Sequence, residues 1–349
     1  VKVEGLSAEL GGLAVGREHG VKDLMEIRMK KLVPLLLIIV CHLAPVNVQA
    51  ESDVDDAPQK AVLITGASTG LGRAMAELIA SKGHFVYAGA RKDADIAELN
   101  AIDNIQAVRL DVTDPEQVEA AAKTIAEAGR GLHGLINNAG VGILYPLTEV
   151  PQSEIEWLMD VNLYGPVRVT RAFAPMIIES KGRISTTGSI SGILSGRIYG
   201  PYSMSKHAME AFTDSLAAEL EPQGVHVSVI EPGNYESKIG DNVIARMKKQ
   251  GYDRPGSPYQ DIYEQLKKLV ESDEPSGDPA EVARAAYHAM FDEKPKRRYL
   301  VTPNQEQAGW TIRKAVMELV QLNQDHAFSY SREQLIEMLD EAMQEVDSD

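Results

Sequence analysis

Cysteine is nearly absent from the chain: Cys41 stands alone in 349 residues, which leaves no internal disulfide framework and no cysteine-built metal site. Positive charge is also scarce. Against 51 Asp and Glu there are 35 Lys and Arg, a net charge of −16, which argues against nucleic-acid binding because that relies on cations neutralising phosphates. The chain has no Asn-x-Ser/Thr sequon, no repeat and no low-complexity tract. No apolar run reaches the roughly 20 residues of a membrane-spanning helix. What remains is an ordinary globular composition, 44% hydrophobic and 25% charged, long enough for one large domain or two small ones.

The first fifty residues are unlike the rest. Residues 1–24 form an unassigned polar, Gly-containing leader, read as translated upstream sequence. In residues 25–50, Arg28, Lys30 and Lys31 precede an apolar run from Leu32 to Leu43, and Val48-Gln49-Ala50 follows. That is the layout of a secretory signal peptide. It predicts export to a periplasm or secretory lumen with a mature start near Glu51, or a membrane anchor acting through residues 32–44. If the start is misread, the alternative is a cytoplasmic protein.

Ala61-Val62-Leu63-Ile64-Thr65 is a continuous apolar run of the kind that forms a buried parallel strand. It enters Gly66-Ala67-Ser68-Thr69-Gly70-Leu71-Gly72, and an amphipathic helix follows from Arg73 to Lys82. Glycines between a strand and a helix let the backbone approach a pyrophosphate at the positive helix end. A second strand, His84 to Ala90, ends at Arg91. An acidic residue there would bind the ribose hydroxyl of NAD, whereas an arginine accommodates the extra phosphate of NADP. NADP(H) is therefore favoured, with NAD(H) the alternative and a merely solvated Arg91 the bland reading. A third strand, Ile105 to Leu110, leads to Asp111, which either reaches an adenine or only caps its turn.

Further strands are expected at Gly134 to Ile136, before Asn137-Asn138-Ala139-Gly140, and at Gly182 to Gly188, before Ser189. Others fall at Val225 to Ile230, before Pro232-Gly233, and at Arg298 to Val301. Residues 151–178 read as one long helix containing Asn162, bent at Gly165-Pro166. An asparagine in mid-helix needs partners. Residues 234–278 read as a substrate loop or lid with short helices. Helices at 279–291, 305–323 and 332–345 complete the chain.

Tyr202-Ser203-Met204-Ser205-Lys206 carries the chemistry. On a helix, Tyr202 and Lys206 lie one turn apart on one face. A cation beside a phenol favours the phenolate and suits acid/base work near neutral pH. A hydroxyl at Ser189 could hold a carbonyl or alcohol oxygen in line.

In order along the chain, Thr-Gly-x-x-x-Gly-x-Gly at Thr65, Leu-Asp-Val-Thr at Leu110, Asn-Asn-Ala-Gly at Asn137 and the helix motif around Asn162 match one pattern. Gly-Ser-x-Ser-Gly at Gly188, Tyr-Ser-x-Ser-Lys at Tyr202 and Pro-Gly at Pro232 continue it. From about Lys60 to Pro303 the chain resembles the short-chain dehydrogenase/reductases. Ser205-Lys206-His207-Ala208 and Arg298-Tyr299 resemble the branch acting on retinol, hydroxysteroids and related alcohols.

The resemblance implies a single α/β doubly wound (Rossmann) domain, residues 57–303, with about seven parallel strands and a C-terminal helical extension, 304–349. It implies Tyr202 as general acid/base and Lys206 lowering its pKa and binding the nicotinamide ribose. Ser189 would orient the substrate oxygen, and Asn162 would hold a proton-relaying water. Cofactor contacts are carried onto Gly66, Ser68, Gly70, Leu71, Gly72, Arg91, Asp111, Val112, Asn138, Tyr202, Lys206, Pro232 and Gly233. Ser237 stands where the family often has a threonine for the nicotinamide amide. The implied activity interconverts a hydrophobic secondary alcohol and its ketone with NAD(P)(H), in a homo-oligomer, dimer or tetramer, that requires no metal. The rival reading is a non-catalytic dinucleotide sensor or scaffold on the same fold. A related epimerase or dehydratase would more often carry Gly-x-x-Gly-x-x-Gly.

Overall fold

The computed structural model describes residues 59–250, 256–270 and 277–348. The leader at 1–24 and the signal or anchor segment at 25–50 lie outside the described residues. Seven parallel strands form one sheet in the order β3-β2-β1-β4-β5-β6-β7. They are β1 (Ala61–Ile64), β2 (Phe85–Ala90), β3 (Ile105–Arg109), β4 (Gly134–Asn137), β5 (Arg183–Thr187), β6 (His226–Pro232) and β7 (Arg298–Val301). All four residues of β1 are buried, as a central strand covered on both faces requires.

Helices cover both faces. On one side α1 (Gly70–Ser81) and α9 (Pro279–Phe291) bury Met75, Ile79, Val282 and Met290 against Val62, Ile64 and Val86. On the other, α3 (Pro115–Glu127), α5 (Gly165–Glu179) and α6 (Gly200–Leu220) bury Ile125, Phe173 and Ala217 against Leu63, Tyr87 and Ile184. Alternate residues of each strand thus feed separate cores. Strand order reverses between β1 and β4, and the carboxyl ends of strands at such a switch point open the crevice where ligands bind in doubly wound sheets.

Two stretches depart from the expectations, and the helices within 234–278 and after β7 meet them. The short α2 (Asp93–Leu99) follows β2 and was not anticipated. The long helix expected over 151–178 is three pieces: α4 (Gln152–Met159), a π-helical turn (Asp160–Tyr164) and α5. Within 234–278, α7 (Lys238–Gln250) and α8 (Gln260–Val270) are helical. Two helices, α10 (Gln305–Leu322) and α11 (Arg332–Ser348), follow β7. No helix among the described residues is long and apolar enough to cross a membrane.

Candidate active site

The turn after β1 is built by glycines where side chains cannot go. Gly66 and Gly70 have φ of +64° and +55°, the left-handed region that favours glycine. A Cβ on Gly72 would lie 2.4 Å from both the Asn138 amide nitrogen and the Gly66 carbonyl, so the helix packs directly on the turn. Thr69, the N-cap of α1, makes no side-chain capping bond. The first N–H groups of α1 are therefore left without that partner, which is the arrangement an anion uses at a helix N-terminus. Ser68 and Leu71, both partly buried, complete the turn.

Thr65 at the end of β1 and the loop after β4 hold this turn in shape. Thr65 Oγ1 accepts from the backbone N–H groups of Asn138 and Ala139 at 2.9 and 3.0 Å. The Asn138 amide donates to the carbonyls of Thr65 and Gly66 at 3.0 and 3.2 Å, and its oxygen accepts from Thr187 at 3.3 Å. Its side chain thus braces the glycine turn. Gly70 meets Ser237 from the far side: a Cβ on Gly70 would stand 3.3 Å from the Ser237 Cα. Pro232 is buried and Gly233 partly so; the Gly233 N–H donates to the Val301 carbonyl at 2.8 Å.

At the carboxyl ends of β2 and β3, Arg91 lies 3.5 Å from Asp111. Asp111 does cap its turn, accepting from the Thr113 N–H at 3.0 Å and hydroxyl at 2.8 Å. Burial alone would raise its carboxyl, but the Thr113 hydrogen bonds and the Arg91 charge outweigh that and hold it below the ordinary carboxylate range. Val112, beside it, is buried. Arg91 itself is 66% exposed, free to meet a group from solvent.

The acid/base residues come together at the ends of β5 and α6. Ser189 opens the turn after β5 and accepts from the Ser191 N–H at 3.1 Å. Its hydroxyl also stands beside the Tyr202 phenol and pulls the phenol's pKa down. Burial outweighs this and pushes it up to about 12. Lys206 is buried, its ammonium donating to the Thr187 carbonyl at 2.8 Å and standing 5.7 Å from the centroid of the Tyr202 ring. Burial pushes Lys206 down to about 8, against the opposing pull of Glu210. The Lys206 ammonium is bonded to the Thr187 carbonyl, and desolvation decides the direction for the phenol.

Asn162 sits in the π-helical turn. Its oxygen accepts from the Val141 N–H at 2.8 Å, and its amide donates to the Val141 carbonyl at 2.9 Å and to Ser205 at 3.0 Å. Both amide hydrogens are therefore committed. The side chain clamps the loop after β4 onto α6.

Behind Lys206, Arg298 on β7 gathers three carboxylates. It contacts Glu210, reaches Asp214 at 2.6 Å and reaches Glu231 at 3.2 Å. Burial and the neighbouring Glu210 raise the pKa of Glu231. Sequence reading missed this cluster and the roles of Thr65, Thr187 and Ser205. Ser205 lies inside the Tyr-Ser-x-Ser-Lys motif, whereas the Thr187 contact is a backbone carbonyl that no residue type could have announced.

Over Tyr202 lies an apolar cover. A Cβ on Gly142 would be 2.9 Å from Val243, 3.3 Å from Ile239 and 3.9 Å from the Tyr202 ring. Val243 and Met247 of α7 pack with Ile262 and Tyr263 of α8 and with Ile198. Arg246 fastens α7 to α4, donating twice to Glu154 at 2.5 and 2.8 Å and stacking 3.6 Å over Trp157.

A glycine turn at the switch point, a Ser-Tyr-Lys set with Ser189 and Lys206 buried and Tyr202 partly so, and an apolar lid occur together here, and the family profile described as short chain dehydrogenase matches residues 60–248. The chain belongs to the short-chain dehydrogenase/reductase family. The uncharacterized oxidoreductase YbbO of Escherichia coli strain K12 is 35% identical over 246 residues, 70% of this chain and 86% of the relative. An NADPH-dependent 3-dehydrocapnine reductase of Ornithobacterium rhinotracheale is 35% identical over 251 residues, 69% of this chain and 87% of the relative. The crystal structure of a Burkholderia phymatum short chain dehydrogenase/reductase in complex with NAD superposes with a TM-score of 0.63 at 28% identity, covering 78% of this chain and 98% of that one. The family supports an oxidoreductase acting on CH–OH groups with a nicotinamide dinucleotide, and its relatives use both forms of that cofactor.

Proposed function

We propose that the protein is an NADP(H)-preferring oxidoreductase that interconverts a hydrophobic secondary alcohol and its ketone, with Tyr202 as general acid/base. One observation carries the reading: the Tyr202 phenol stands beside the Ser189 hydroxyl and close to the apolar cluster of α7 and α8, with the Lys206 ammonium 5.7 Å from its ring centroid. The cofactor fits the chain's own residues. Gly66, Ser68, Gly70, Leu71 and Gly72 frame an uncapped helix end for the pyrophosphate. Arg91 would meet a 2′-phosphate, Asp111 and Val112 would flank the adenine, and Pro232, Gly233 and Ser237 would border the nicotinamide. Asn138 shapes this cradle from behind.

When bound, the nicotinamide supplies or accepts the hydride. The protein moves the proton. Ser189 holds the substrate oxygen in line with the phenol. In reduction Tyr202 gives its proton to that oxygen, a role for which burial keeps it protonated at neutral pH. The phenolate so formed is stabilised by the Lys206 charge. Asn162 acts by fixing α6 against the loop after β4, so that these groups stay in register. The apolar cover excludes water and selects an apolar substrate.

A panel of hydrophobic ketones and secondary alcohols assayed with NADPH and NADH tests the reading. Turnover of apolar members with NADPH supports it. Turnover confined to sugars or other polar alcohols contradicts it.

A further inference from the structure

Glu210 stands one turn beyond Lys206 on α6, four residues on and on the same face of the helix. Its side chain is only 13% exposed. Two contacts fix its place. On one side Arg298 of β7 donates to Oε2, and the same guanidinium is anchored to Asp214 at 2.6 Å and to Glu231 of β6 at 3.2 Å. On the other side Oε1 lies under the turn that carries Ser189. A Cβ on Gly192 would stand 2.6 Å from this oxygen, and a Cβ on Gly188 would stand 3.1 Å from it. The two glycines that bracket Ser189 thus leave the room that the carboxylate fills.

The same carboxylate acts on the acid/base set through its charge. Burial takes Lys206 down to about 8, and Glu210 opposes this. The other ionisable groups around the pair are Tyr202 and Asp214 on α6, Glu231 on β6 and Arg298 on β7. The turn after β5 and the π-helical turn present Ser189 and Asn162, which carry no charge. Of these groups Glu210 is the anion that favours the charged lysine. A carboxylate free to swing into solvent would be screened, whereas one held between Arg298 and two glycines keeps its distance from the ammonium.

We infer that Glu210 is a positioning residue for the reaction proposed above, on which this inference rests: fixed by Arg298, its carboxylate supports the Ser189 turn from beneath and faces the Lys206 ammonium with a negative charge. The test reads Lys206 itself. In the full chain labelled with carbon-13 at the lysine ε carbons, the Lys206 resonance is the one lost in Lys206→Met, and its titration follows the ammonium with neither cofactor nor substrate present. Glu210→Gln keeps the shape beneath the turn and removes the charge, so the Lys206 midpoint should fall by about one pH unit. Glu231→Gln should move it less. In ketone reduction with NADPH, the alkaline limb of kcat should move down with the midpoint, because the charge beside the phenol is then lost at lower pH. Glu210→Ala also empties the space beneath the turn, and at a pH below both midpoints its kcat should be about tenfold under that of Glu210→Gln. Thermal denaturation checks that each variant is folded. An unchanged midpoint in Glu210→Gln overturns the inference, as does a larger shift in Glu231→Gln, or equal kcat in Glu210→Ala and Glu210→Gln. A shifted midpoint in a protein that turns over no alcohol or ketone supports the link between Glu210 and Lys206 and faults the proposed reaction instead.

Discussion

The Lys206 ammonium donates to the backbone carbonyl of Thr187 at 2.8 Å, tying the acid/base helix α6 to the end of β5. Because the lysine is buried, replacing it with methionine leaves that carbonyl short of a partner. The expected loss of stability is about 1–3 kcal/mol. Turnover should fall by about 100-fold or more, through loss of the charge beside the phenolate. Chemical denaturation and steady-state kinetics on Lys206→Met check both; near wild-type turnover would show that the lysine only holds the fold.

Arg91 is mostly exposed, and its contact with Asp111 is 3.5 Å long. Surface pairs of this kind contribute at most about 1 kcal/mol, so Arg91→Ala should barely change stability. Its effect should fall on cofactor choice. KM for NADPH is expected to rise about tenfold or more while KM for NADH stays within about twofold, the signature of a lost 2′-phosphate contact. Equal changes for both cofactors would contradict the assignment.

Arg246 holds the cover down by its two hydrogen bonds to Glu154 and its stacking on Trp157. Truncating it to alanine removes both hydrogen bonds to the buried Glu154 and loosens α7. For an apolar substrate the expected result is a several-fold higher KM with a smaller change in kcat, read from initial-rate kinetics. An unchanged KM would place substrate recognition elsewhere.

His133 links β4 to α9, its Nε2 lying 2.9 Å from the Met290 carbonyl. Burial is the main cause of its pKa falling to about 4. The folded state therefore keeps it neutral, while the unfolded chain binds a proton below about 6.5. Between these values the unfolded state holds more protons, so stability falls as pH drops through this window. After allowance for solvent screening the loss is about 1–2 kcal/mol. His133→Gln should flatten this part of the stability profile, measured by denaturation at a series of pH values. An unchanged acid slope would assign it to other groups.

The sheet was legible because its central strands are unbroken apolar runs. The glycine turn was legible because only glycine adopts the backbone it needs. Helix α2 escaped because Asp93–Leu99 offers only Ile96, Leu99 and two alanines as an apolar pattern. The π-helical turn escaped for a related reason: apolar spacing over 151–178 is compatible with a continuous helix, and the costly Asn162 and the Gly165-Pro166 pair signalled a disturbance without specifying its form. The sign of the Tyr202 shift could not be read from spacing. A Tyr-x-x-x-Lys pair shows which groups are neighbours, but not that burial dominates or that the ammonium is bonded to Thr187.

The central claim concerns the proton of one phenol. Tyr202→Phe removes the hydroxyl and keeps the ring that packs near Gly142, so the fold and the cofactor cradle should survive. The decisive measurement is turnover of this variant on its best substrate, alongside NADPH affinity by fluorescence. The account predicts a loss of at least about 100-fold in kcat with a dissociation constant for NADPH within a few-fold of wild type. Turnover near the wild-type rate with cofactor bound would contradict it.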